Sequence, residues 1–114
     1  MLNSYDASRG QNVSMKSAQV EGDIAEAIKV APKNAYLFYN RGNLYAAAKN
    51  YSRAIDDYSR AIEIDPNFAE AYLNRGLARC YSGKTTDGLH DFSKAGELGL
   101  YNAYAISKQL SRKK

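Results

Sequence analysis

Apolar positions along the chain recur with a helical period and are interrupted by short polar stretches, a pattern that predicts a succession of helices. Between residues 35 and 48, Leu37, Phe38, Leu44, Tyr45 and Ala48 fall at helical spacing, and Lys49 and Asn50 then supply a polar turn. A second run begins at Tyr51, where Ala54, Ile55, Tyr58, Ala61 and Ile62 stand at i, i+1, i+4, i+7 and i+8 and draw one apolar stripe. Two helices joined by so short a turn lie antiparallel, and a lone hairpin of this kind cannot bury its stripe. Stacked neighbours bury it, so the pattern predicts an array of hairpins.

The breakers fall between these runs. Asp65-Pro66-Asn67 ends the second run, because proline disfavours helical geometry in the residue before it and suits the start of the next helix. Ala31-Pro32-Lys33 does the same one period earlier, and Gly96, Gly99 and the run from Leu98 to Tyr101 form a later stop. Beyond Gly99, Tyr101, Tyr104, Ala105, Ile106 and Leu110 predict a closing helix, assigned to residues 103–114, with Ser107, Lys108, Gln109, Ser111 and Arg112 turned to water. Its cationic end suits the negative pole of the helix dipole. Upstream, Val20, Ile24 and Ala27 mark a helical stretch within 17–34. Residues 1–16 show no sustained period and are expected to be a leader or a degenerate first helix.

Self-comparison reveals an internal repeat. Laying residues 35–68 over 69–102 pairs Asn40 with Asn74, Arg41 with Arg75, Gly42 with Gly76, Asp57 with Asp91, Ser59 with Ser93 and Ala61 with Ala95, at a constant offset of 34 residues. Conservative pairs such as Phe38 with Tyr72 and Tyr58 with Phe92 fill the intervals.

A 34-residue helical unit with these residues resembles the tetratricopeptide repeat (TPR). Phe38, Gly42, Tyr45, Ala54, Tyr58, Ala61 and Pro66 occupy the seven characteristic places of that family's unit. In the next copy Tyr72, Gly76, Phe92 and Ala95 fit, but Arg79, Gly88 and Leu100 stand where tyrosine, alanine and proline are expected. Val20, Ile24, Ala27 and Pro32 resemble the second helix of a partial repeat over 17–34. The resemblance implies an all-α fold, an α-α superhelix of antiparallel hairpins with a C-terminal capping helix, in a single domain over 1–114. Gly42, Gly76, Ala54 and Ala61 are small where helices must approach. Arg41 and Arg75 replace a leucine of the pattern. Each is expected to lay its stem over apolar surface and reach an acid one repeat back, Asp23 and Asp57 respectively.

Composition narrows the function. A chain of 114 residues with 45% hydrophobic and 25% charged residues suits one soluble globular domain. Its single cysteine, Cys80, forms no internal disulfide, which with the polar N-terminal stretch points to the cytoplasm. No run is long and apolar enough to span a bilayer, so no membrane association is expected. The net charge of +4 owes much to the tail residues Lys108, Arg112, Lys113 and Lys114, and nucleic acid is not the expected partner. His90 has no companion at zinc-binding spacing, Cys80 has no activating base in sequence, and the glycines form no phosphate loop. Neither an enzyme nor a cofactor or metal site is expected.

Binding surface is the remaining candidate. In proteins of the resembled family the first helix of each hairpin lines a concave groove. The matching positions here are Tyr36, Tyr39, Asn40, Asn43, Ala46 and Ala47, then Glu70, Leu73, Asn74, Leu77, Cys80 and Tyr81, and on the closing helix Tyr104, Ser107 and Lys108. Tyrosine offers contact area with few rotatable bonds, and asparagine can both donate to and accept from an extended backbone. Asn43, Asn74 and Lys108 match places of the family's clamp for a terminal carboxylate, whereas Tyr39 and Tyr104 stand where its other cations belong, which argues against carboxylate capture. The expected function is a protein-interaction module that binds a peptide or partner helix in the groove. The alternative is a self-associating structural domain, a homo-oligomer formed through incomplete terminal repeats.

Overall fold

The computed structural model describes the backbone of residues 2–112 and the side chains of residues 16–103, 105, 106, 108 and 109. Six helices follow one another: α1 (Leu2–Val30), α2 (Ala35–Ala47), α3 (Tyr51–Ile64), α4 (Ala69–Tyr81), α5 (Thr85–Glu97) and α6 (Tyr101–Arg112). All regular structure among the described residues is helical. No described helix is long and apolar enough to cross a membrane. The chain divides into two compact units, residues 1–32 and 33–114.

The first unit is α1. It runs unbroken from Leu2 to Val30, so this stretch is one long helix and not a hairpin. Lys29 in its last turn lies 3.1 Å from Glu26, an exposed ion pair one turn apart.

The second unit holds α2 to α6. Each helix packs on the next in sequence, and α2 also touches α4, so the first helices of successive hairpins share a wall. Local chemistry sets the ends. The Asn34 side chain accepts from the Tyr36 amide at 3.0 Å and starts α2, and that of Asn50 accepts from the Arg53 amide at 3.4 Å and starts α3. The turn between α2 and α3 places Lys49 in the left-handed region at φ 63°, while the equivalent turn between α4 and α5 uses Gly83 at φ 90°, where no Cβ opposes it. At Pro66 the Asn67 amide donates to Asp65 Oδ1 at 3.0 Å, a local turn that separates α3 from α4.

Two apolar clusters of described residues help hold the helices together. Ala54, Tyr58 and Ala78 form one, joined by Tyr39, Tyr45, Ala46, Tyr51 and Ile55. Phe92, Ala95 and Ala103 form the other, joined by Leu73, Leu77, Leu89, Leu100 and Ile106. Through Ala103 and Ile106, α6 covers the last hairpin. Gly42 is small of necessity: a Cβ there would stand 2.7 Å from Tyr58 Cε1.

The arginines depart from expectation. Arg41 donates to Asp57 through Nε at 2.8 Å and Nη2 at 2.9 Å, and Arg75 to Asp91 through Nε at 2.9 Å and Nη2 at 2.7 Å. These acceptors lie on the second helix of the same hairpin, which corrects the pairing of Arg75 with Asp57 and gives Arg41 an acid within its own hairpin. An antiparallel hairpin brings together residues equidistant from its turn, and Arg41 and Asp57 flank Lys49 symmetrically, as Arg75 and Asp91 flank Gly83. Arg75 does reach one repeat back, but to the Ser59 hydroxyl at 3.1 Å. The guanidinium of Arg41 lies 5.7 Å from the Phe38 ring centroid and that of Arg75 5.5 Å from that of Tyr72.

Candidate functional site: the wall between α2 and α4

Tyr39 and Asn43 are one helical turn apart on α2, as are Leu77 and Tyr81 on α4, so each pair shares a helix face. Because α2 and α4 lie side by side, these faces form one surface. Asn43 and Asn74 meet across it, with Asn74 Nδ2 donating to Asn43 Oδ1 at 3.0 Å and to Tyr39 Oη at 3.1 Å. From behind, the Tyr58 hydroxyl of α3 donates to the same Asn43 oxygen at 2.6 Å. The Tyr58 ring is 1% exposed, so only its polar tip takes part in the surface.

A pocket of about 220 Å³ opens over this network. Asn43 and Ala46 of α2, Tyr51 and Tyr58 of α3, and Asn74, Leu77, Ala78 and Tyr81 of α4 line it. Tyr81 stacks on Tyr51 with ring centroids 5.6 Å apart and planes 21° from parallel, and makes an aromatic wall at one end. None of the lining residues is charged. Burial pushes the Tyr58 hydroxyl well above the ordinary tyrosine range; the Tyr39 and Asp57 side chains act in the same sense, and the nearby Asn74 amide opposes them. Tyr58 is therefore a neutral O–H donor at the pocket floor.

Of the positions named from sequence, Tyr39, Asn43, Asn74, Leu77 and Tyr81 come together here. Tyr36 is exposed and packs with Tyr39 around Phe68, with centroids 4.9 and 4.8 Å away. Asn40 and Ala47 are exposed and lie outside the pocket lining. Leu73 borders a different pocket of about 340 Å³ with Leu100, Tyr101, Asn102 and Ala103, where α5 passes into α6. Lys108 is exposed on α6, and the side chains of Tyr104 and Ser107 lie outside those described. Cys80 packs beside the Phe92 cluster, its thiol pushed up first by burial and then by the Asp91 carboxylate. Sequence reasoning missed Tyr51 and the Tyr58 hydroxyl. The available signal was that Tyr58 carries an oxygen where the next repeat has Phe92.

A third pocket of about 250 Å³ is bordered by Arg41, Tyr45, Arg53, Asp56 and Asp57, whose charges are of both signs. Among the described residues no group of three or more histidine, cysteine or acidic side chains could hold a metal ion.

Comparison with known proteins decides the family. Tetratricopeptide-repeat sequence profiles match residues 35–68 and 58–90. The chain belongs to the tetratricopeptide-repeat family. The small glutamine-rich tetratricopeptide repeat-containing protein 2 of Saccharomyces cerevisiae is 34% identical over 84 residues, which is 74% of this chain and 24% of that protein. The chain spans only 3% to 24% of the length of the curated relatives it matches. Among solved structures, the second TPR domain of human RPAP3, determined in complex with the HSP70 peptide SGPTIEEVD, is 26% identical with a TM-score of 0.77, covering 94% of this chain and 91% of that one. The TPR domain of Arabidopsis OM64 is 28% identical with a TM-score of 0.77, covering 90% and 88%. The all-α hairpin array read from the sequence is thus the TPR fold, closed by α6.

Proposed function

We propose that this TPR chain is a protein-interaction module that holds a peptide or a partner helix along the wall formed by α2 and α4 and continued by α6. One observation carries the reading: an uncharged pocket walled by tyrosines lies over two asparagine amides on the face where successive first helices meet. Such a surface supplies apolar contact area together with backbone hydrogen bonding, the combination an extended ligand needs. The RPAP3 domain, solved with a peptide, supports the same use of the fold. Within this reading Tyr39, Asn43, Asn74, Leu77 and Tyr81 make the central contacts. Tyr36, Asn40, Ala47, Leu73 and Lys108 make outer ones.

The test is affinity capture from the source cells followed by mapping of the recovered partner on the isotopically labelled chain. Tyr39→Ala and Asn74→Ala should each weaken capture by about tenfold, in line with losing a well-packed interface contact. Partner-induced shifts confined to α3 and α5, with capture unchanged in both variants, would overturn the assignment.

A further inference from the structure

The two repeats differ at a coupled pair of positions. The first has Tyr58 on its second helix and Asn43 on its first; at the same places, 34 residues on, the second has Phe92 and Leu77. A hydroxyl is present only where there is an amide for it to meet. The Tyr58 O–H is donated to Asn43 Oδ1, which holds the carbonyl end of that amide against the pocket floor. Asn74 Nδ2 binds the same oxygen and the Tyr39 hydroxyl, so the amino end of the second amide is engaged as well.

The opposite ends are left over. Asn43 Nδ2 and Asn74 Oδ1 make no hydrogen bond to the described residues, and both asparagines are half-buried. Among the described residues no buried side-chain nitrogen or oxygen lacks a partner, so these two atoms reach solvent. They offer one donor and one acceptor, the complement of a peptide carbonyl and a peptide N–H. The pocket beside them has no charged lining residue, and a carboxylate brought there would lose water without gaining a counter-charge.

Resting on the groove reading above, we infer that the site selects an uncharged internal stretch of extended polypeptide, and that the Tyr58 hydroxyl is the positioning group that turns the Asn43 amide toward it. The ligand backbone receives a hydrogen bond from Asn43 Nδ2 and gives one to Asn74 Oδ1. An apolar ligand side chain lies against Leu77 and the Tyr51–Tyr81 stack.

The experiment uses the full chain and two pools of dodecapeptides built on the same uncharged, apolar-rich sequences and different only at their ends. One pool is acetylated and amidated at its ends; the other has a free C-terminal carboxylate preceded by acidic residues. The capped pool should yield binders that perturb the side-chain amide signals of Asn43 and Asn74. Tyr58→Phe, which copies the residue found in the second repeat, should keep the fold and weaken those binders about tenfold, the cost of releasing one buried amide from its orientation. Asn43→Asp, which removes the outward donor, should weaken them at least as much. Binding by the acidic pool alone overturns the inference and leaves the groove reading standing, whereas binding by neither pool overturns both. Undiminished binding of capped peptides by a folded Tyr58→Phe chain overturns the positioning role.

Discussion

The two full repeats share a backbone plan and differ in how each closes its hairpin. In the first, Gly42 lies under the Tyr58 ring, and the three atoms nearest to an added Cβ would all be ring atoms. In the second, Gly76 faces Phe92 and also the backbone of Gly88, with the Gly88 oxygen 2.9 Å from the position of the missing Cβ. Gly88 occupies the place of Ala54, and its own Cβ would stand 2.5 Å from Cys80 Sγ and 2.7 Å from the Gly76 oxygen. The repeat that departs further from the family pattern is therefore the one whose helix backbones come closer. Arg79, standing where the first repeat has Tyr45, brings a second guanidinium to Asp91 at 2.8 Å. The lesson is that a degenerate repeat need not be a loose one. The first hairpin contributes the Tyr39 and Tyr58 hydroxyls and the Asn43 amide to the α2–α4 wall, and the second contributes the Asn74 amide, close packing, a three-membered ion cluster and the apolar Leu73 and Leu77.

The largest expected effect tests the ion clusters. Asp91→Ala strips the acceptor from both Arg75 and Arg79 and should destabilise the chain by about 3–5 kcal/mol, because two partly buried guanidiniums lose their carboxylate. Asp57→Ala, which affects Arg41, should cost about 2 kcal/mol. Urea unfolding of the two variants checks the order, and equal losses would remove the electrostatic half of the comparison.

Next in size is the helix approach. Gly88→Ala should lower stability by about 2 kcal/mol through overpacking against Cys80 and the Gly76 backbone, despite the better helix propensity of alanine. Ala54→Gly, the converse change in the first repeat, should cost about 1–2 kcal/mol, from helix propensity together with the loss of a buried methyl. A stabilised Gly88→Ala chain would mean that α4 and α5 are not held at this distance.

The smallest effect distinguishes Tyr58 from Phe92. The folded chain keeps Tyr58 protonated above the ordinary value of 10.0, whereas the unfolded chain ionises there. Above that pH the unfolded state binds fewer protons, so stability is full below about 10 and falls as pH rises beyond it. Tyr58→Phe should flatten this alkaline decline relative to the parent, measured as Tm between neutral and strongly alkaline buffer. An identical slope in both chains would show that the Tyr58 hydroxyl does not differ between the folded and unfolded states.

Much of the helix plan was legible. The runs at Leu37 and Tyr51, the polar turn at Asn50 and the break at Pro66 appear in α2 and α3, because period and breaker chemistry are local. The start of the last helix at Tyr101 precedes the assigned 103, since Gly99 at φ 113° ends the previous segment and the helix begins at once. Residues 2–16 lack an apolar period yet are helical, as backbone hydrogen bonding does not require an amphipathic face. That Asn43, Asn74 and Tyr39 share one surface was implied by the family resemblance. Their mutual hydrogen bonds were not, and the Tyr58 hydroxyl was hidden behind a ring that core packing alone would explain. The carboxylate partner of Arg75 was misassigned because a repeat offset does not reveal which neighbouring helix a side chain faces.

By itself the sequence determined the helices, their order and the 34-residue register of the hairpins. Steric limits on proline, the freedom of glycine and the 3.6-residue period act within a few residues and need no distant partner. Only the tertiary structure decided that Arg41 meets Asp57, that α4 and α5 approach glycine to glycine, and which end of each asparagine amide turns outward. Those outcomes depend on atoms far apart in the chain competing for the same small volume, and on hydrogen-bond geometry that exists only once the helices have packed.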